Sequence, residues 1–95
     1  MKSFEILTDA KQVKYLSYIC PGCKLYHNIP FTGEKAWIFN DNIKEPSLQP
    51  SILASYGQDE ICHHFLTNGK ISFLSDCTHE LKNKTIDMIT QKEQK

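Results

Sequence analysis

The sequence predicts a mostly β fold: one small antiparallel β domain closed by a zinc-knuckle clip. Three observations carry this expectation. Short stretches rich in β-branched and aromatic residues alternate with turn residues along most of the chain. Asn68-Gly69 separates two such stretches, and this dipeptide favours a two-residue hairpin turn because both residues tolerate positive φ. Cys20-Pro21-Gly22-Cys23 can present two thiolates to one ion, and Cys62 and Cys77 bring the sulfur count to the four of a closed structural zinc site.

Taken in order, residues 3–7 read as a first strand, and 8–12 as a polar turn. Residues 13–19 read as a second strand, with Val13, Tyr15, Ser17 and Ile19 on one face and Lys14, Leu16 and Tyr18 on the other. The knuckle follows. A third strand over 25–31 is weakened by Pro30, which suits an edge or a strand end. A fourth over 35–40 carries the only tryptophan, Trp37. Residues 41–50 hold two prolines and read as a loop longer than usual, the kind that often serves function. A fifth strand spans 51–56, and residues 57–60 turn it. Residues 61–66 and 70–74 form the hairpin around Asn68-Gly69. Residues 75–84 read as a loop or one helical turn, 85–89 as a last strand, and 91–95 as a frayed tail. Trp37, Phe39 and Tyr56 read as core.

With 95 residues, the chain suits one domain over 1–95, its tail frayed from about residue 90. A domain this small buries a limited share of its surface, so a structural zinc is a plausible staple. Eleven basic and eleven acidic residues give zero formal charge, which does not favour a nucleic-acid partner. No apolar run reaches the length of a membrane span, and Met1-Lys2-Ser3-Phe4-Glu5 lacks an apolar signal core. The expectation is a cytoplasmic protein with reduced cysteines, where C-x-x-C is a metal or redox motif. A thioredoxin-like redox role needs a βαβ context, and none follows the motif.

Strand alternation constrains the ligands. Ile61, His63 and Phe65 fall on one face of their strand, and Cys62, His64 and Leu66 on the other. The economical metal set is therefore Cys20, Cys23, Cys62 and Cys77, with His64, His79 or His27 in reserve. Four thiolates would fill the sphere and make the ion structural rather than catalytic. Buried spectator cysteines are the plain alternative. His63 and Asp76 each stand one residue from a candidate ligand. Ser51 as nucleophile, His63 as base and Asp76 as orienter form one candidate catalytic set, with His79 a substitute base. No G-x-S-x-G elbow surrounds Ser51. The alternative is a turn serine, a core histidine and a capping aspartate.

Cys20-Pro21-Gly22-Cys23, His27, Trp37-Ile38-Phe39-Asn40, Pro46, Pro50-Ser51, Cys62-His63-x-Phe65, Gly69-x-Ile71 and Asp76-Cys77-x-His79-x-Leu81 together resemble a family of small, poorly characterised zinc-binding proteins. Its members occur in phages, prophages and bacteria, and some carry a misleading ammonia monooxygenase label. Relatives are encoded beside bacterial ubiquitin-like conjugation enzymes, which implies a protease or deconjugating role. Under that resemblance, chemistry would sit at Pro50-Ser51, Cys62-His63 and Asp76-Cys77-x-His79, and Asn40 would help bind substrate or an oxyanion. The chain departs from the pattern at Asn83-Lys84, where a glycine is more typical.

Three functions follow as expectations. The first is a zinc-stabilised serine-type peptidase or deconjugating enzyme acting on a ubiquitin-like or other protein substrate. The second is a non-catalytic zinc module of phage type that binds a protein partner. The third is a zinc-dependent hydrolase.

Overall fold

The computed structural model describes residues 3–57 and 60–89. The expected tail, and part of the expected turn at 57–60, lie outside the described residues. Among these residues eight strands appear: β1 (Phe4–Thr8), β2 (Lys14–Ile19), β3 (Tyr26–Pro30), β4 (Ile38–Phe39), β5 (Leu48–Ser55), β6 (Ile61–Thr67), β7 (Lys70–Phe73) and β8 (Thr85–Asp87). They make two antiparallel sheets, β1-β2-β3 and β4-β5-β6-β7-β8. The mostly β antiparallel expectation holds, and no helix among the described residues is long and apolar enough to cross a membrane.

Buried side chains of both sheets form one core. Leu16, Tyr18 and Ile29 come from the first sheet, and Leu48, Ile52, Leu66, Ile71 and Phe73 from the second. On β6 the alternation is strict: Cys62, His64 and Leu66 are fully buried, while Phe65 is exposed. Each fully buried leucine contributes roughly 1.5–3 kcal/mol relative to exposure. A one-residue slip of β6 would send this set to solvent, so the core pins the register.

Most boundaries shift by a residue or two, the last strand ending at Asp87 rather than at 89, and two differ more. The fourth strand shrinks to two residues, because Trp37 N–H donates to Pro30 O (2.8 Å) and draws the chain away toward the first sheet. The long loop is shorter than 41–50, because β5 begins at Leu48 and takes in Pro50. Side-chain amides build the loop that remains. Asn40 Oδ1 accepts from Asn42 N (3.2 Å) and Ser47 N (3.0 Å), and Asn42 Oδ1 accepts from Lys44 N (3.0 Å) and Glu45 N (3.1 Å). These are the local side-chain-to-backbone bonds that make asparagine a turn residue.

β5 carries an irregularity. Leu48 pairs with Leu66 and Ile52 with His64, so Gln49, Pro50 and Ser51 stand against the single residue Phe65. Bulges of this kind re-aim side chains and often lie beside active sites. At the other end, Asn83 adopts the left-handed conformation (φ 64) that a glycine would take, and its N–H donates to Phe73 O (3.0 Å). Asparagine tolerates this region better than most residues, so the departure from the expected glycine keeps the turn.

The hairpin forms as expected, with positive φ at Asn68 (50) and Gly69 (78). A Cβ on Gly69 would stand 2.7 Å from Ile89 Cγ1. Gly69→Ala should therefore lower unfolding stability by more than about 1 kcal/mol, read from urea denaturation midpoints.

Candidate functional site

Two clusters stand on opposite faces of β6. On the core side, the ligand atoms of Cys20, Cys23, His27 and Cys62 lie within 4.8 Å of one another. Cys20 and Cys62 sulfurs are 3.6 Å apart, and Cys23 Sγ is 3.5 Å from His27 Nε2. A tetrahedron with metal–sulfur bonds of about 2.3 Å and metal–nitrogen bonds of about 2.0 Å has edges of about 3.8 Å (S–S) and about 3.5 Å (S–N). The donor set and these two edges thus fit a zinc-like ion.

The knuckle preorganises its own sulfur. Cys23 N–H points at Cys20 Sγ (3.4 Å), and Lys24, at φ 66, closes the turn through its N–H to Cys20 O (2.9 Å). The Cys62 thiol, hydrogen-bonded to Cys20 Sγ, holds Cys20 down to about 3, and the proton they share pushes Cys62 up. The two sulfurs therefore titrate as a pair. A divalent cation that displaces that proton binds both as thiolates. Burial pushes the Cys23 thiol up.

Outer partners orient this cluster. Burial holds His64 down to about 4, so its ring is neutral near pH 7. Burial also keeps Tyr18 a phenol, raised well above its ordinary value. Tyr18 Oη–H donates to His64 Nε2 (2.8 Å), which leaves His64 Nδ1–H to donate to Cys62 Sγ (3.4 Å). On the other flank, Tyr56 Oη lies 3.1 Å from His27 Nδ1 and fixes the ring that aims Nε2 inward. Such partners commonly set ligand tautomer and orientation. Tyr56 is thus a 40 % exposed partner of the cluster rather than core. Sequence reasoning missed both tyrosines as orienting groups. Period two does place Tyr18 on the face of Cys20, which was the available signal.

Cys77, the fourth expected sulfur, lies in a second group that shares Cys62 with the first. Cys77 Sγ donates to His63 O (3.1 Å) and accepts from His63 N–H (3.2 Å), so its thiol bridges the His63 backbone. It groups with Cys62 and His79. His27, held in reserve by the sequence, takes the fourth place in the larger group. His64 reaches Cys62 as a partner through hydrogen bonding. His79 packs its ring against Phe73 (4.6 Å between centroids) and against Gly22, where any Cβ would meet the ring at 2.2–2.6 Å. Its Nδ1 accepts from Leu81 N (3.2 Å), and its buried Nε2 has no hydrogen-bond partner among the described residues. Beside the knuckle it is a close neighbour of the cluster, and no hydrogen bond joins it to Ser51.

On the solvent side of β6, Ser51, His63 and Asp76 come together. Ser51 Oγ is 3.1 Å from His63 Nε2. His63 Nδ1 is 3.0 and 3.1 Å from the two Asp76 oxygens. A carboxylate only accepts, so Nδ1 carries the proton and Nε2 offers its lone pair to the Ser51 hydroxyl. His63 is 25 % exposed and Asp76 53 %.

Local chain chemistry explains the convergence. The β5 irregularity sets Ser51 just before the ladder resumes at Ile52, and Trp37 Nε1–H donates to Ser51 O (3.3 Å). Beyond β7 the chain wraps the start of β6. Leu74 N–H donates to His63 O (2.9 Å), and Thr78 N–H to Ile61 O (3.0 Å). Between those two anchors, Asp76 is held opposite the His63 ring. Asn40, expected near substrate, uses its side chain inside its own loop, with Nδ2–H donating to Glu45 O (3.1 Å).

The metal geometry makes a discriminating prediction. Elemental analysis of purified protein should find about one zinc per chain. His27→Ala and Cys62→Ser should lose it and lower the melting temperature, whereas Cys77→Ser should retain it.

A model of the family described as bacterial ubiquitination-like system serine protease (BubE) matches residues 1–74. The match takes in Cys20, Cys23, His27, Ser51, Cys62 and His63, and ends just short of Asp76. No curated protein and no solved structure matches the chain. The matched span is most of the 95 residues, and the chain belongs to the BubE family, the serine proteases of bacterial ubiquitination-like systems.

Proposed function

We propose that the protein is a serine-type peptidase that removes or processes a ubiquitin-like or other protein substrate, with a structural zinc ion. The observation that supports it most is the unbroken hydrogen-bond relay Ser51–His63–Asp76 on the open face of β6. The family name, as a serine protease, agrees with that chemistry.

In this reading Ser51 Oγ attacks the scissile carbonyl carbon as His63 Nε2 takes the hydroxyl proton. Asp76 holds the ring in the tautomer that makes this transfer productive and stabilises the imidazolium. The Ser51 backbone N–H is the proposed donor to the oxyanion, because Pro50 carries no N–H and Ile52 is paired with His64 of β6. Collapse of the tetrahedral species breaks the bond to the leaving group, which receives the proton from His63. Water, deprotonated by His63, then attacks the acyl-enzyme, frees the acid and restores Ser51.

A zinc ion held by Cys20, Cys23, His27 and Cys62 would cross-link the knuckle to β3 and β6 and supply folding free energy. The zinc-hydrolase alternative has less support. Three sulfurs and an imidazole make a closed sphere, and His63 and Asp76 face away from it.

The test is cleavage of a ubiquitin-like protein carrying an amide-linked fluorophore at its C-terminus. Ser51→Ala, His63→Ala and Asp76→Asn should each lower kcat by roughly a thousandfold or more, and the double variants should be little worse than the worst single one. Full cleavage by Ser51→Ala would overturn the serine mechanism. Tight capture without any cleavage by wild type would favour a binding module.

A further inference from the structure

The sheet that carries Ser51 has an open edge next to it. β4 pairs only with Leu48 and Gln49 of β5, and the chain leaves that edge at Trp37. From Ser51 onward, the outer side of β5 pairs with no strand among the described residues. The direction of its backbone groups can be fixed from both neighbours. On β6, His63 N–H and O, with Ile61 N–H and O, bond toward the Leu74–Thr78 side. Cys62 and His64 therefore bond toward β5, meeting Ala54 and Ile52, and Leu53 opposite His63 is a non-hydrogen-bonded pair. Ser51 O, bonded to Trp37 Nε1, points outward as well. Leu53 and Ser55 follow it at period two, so their N–H and C=O groups face out along the open edge. Leu53 is 61 % exposed.

The geometry points to strand addition: the substrate's scissile segment binds as an extended peptide on the β5 edge at Leu53 and Ser55, in line with β4. This inference rests on the serine-peptidase reading and names how that site takes its substrate. An open edge invites pairing by an extended chain, whose main-chain bonds give affinity without demanding particular side chains. Here the edge begins at the nucleophile, and Trp37 closes it there. A peptide paired to Leu53 and Ser55 therefore ends its run at Ser51, where its carbonyl must be presented. The occupant is an extended peptide because a free row of backbone donors and acceptors is complementary to another backbone. A folded domain would have to unwind or offer a tail.

Wild-type protein tests this with a series of hexapeptide amides that release aminocoumarin, each methylated at one backbone nitrogen. Methylation at the nitrogens that pair with the edge should lower kcat/KM by about tenfold, and methylation at the intervening nitrogens should not, giving a period-two profile. Leu53→Pro removes an outward donor that the β6 ladder does not use. It should lower the ratio of peptide cleavage to modification of Ser51 by diisopropyl fluorophosphate by a similar factor. Equal tolerance of methylation at every position would overturn strand addition while leaving the serine reading intact. A wild type that neither cleaves these peptides nor forms a Ser51 adduct would overturn the serine reading and strand addition with it.

Discussion

The alternation of β6 is the constraint on which the structure depends. Its buried face carries Cys62, His64 and Leu66, and its open face His63. One short strand thus holds sulfur for an ion on one side and an imidazole on the other. The core fixes this division, because moving β6 by one residue would expose three fully buried side chains and bury others. A metal ion and a proton-transfer relay can then lie a single residue apart in sequence without competing for the same ligands.

Much of this was legible in the sequence for the same reason. Period-two patterning assigned His63 and Cys62 to opposite faces, and Asn68-Gly69 fixed the hairpin that returns the chain toward Asp76. The residues Ser51, His63 and Asp76 could be grouped from the sequence, and the structure brings them within hydrogen-bond reach. Less legible were features set by long-range contacts. The two-residue β4 reflects the pull of Pro30 O on Trp37, and the β5 irregularity reflects pairing across strands. The place of His27 beside Cys20, Cys23 and Cys62 has a similar origin, as does the engagement of Cys77 by the backbone of His63, a contact that local sequence does not reveal.

That contact also ties the two clusters together. Cys77 and Thr78 hold the chain against β6 at His63 and Ile61, and Asp76 lies between these anchors and the β7 end. On the metal side, Tyr18 and Tyr56 brace His64 and His27, so aromatic hydroxyls rather than carboxylates orient the nitrogen and sulfur donors. The family's name as a serine protease of bacterial ubiquitination-like systems accords with a Ser51 hydroxyl that meets His63 on the opposite face of β6 from the buried cysteine–histidine group.

In the proposed reading a bound metal ion takes no part in the chemistry at Ser51. Diisopropyl fluorophosphate is reacted with protein reconstituted with zinc and with protein reconstituted with cadmium, and the modified residue and its rate of formation are read by mass spectrometry. Phosphorylation of the Ser51 hydroxyl, with loss of fluoride, is expected at the same rate under both ions. An adduct on another residue, or a rate that follows the identity of the ion, would contradict that reading.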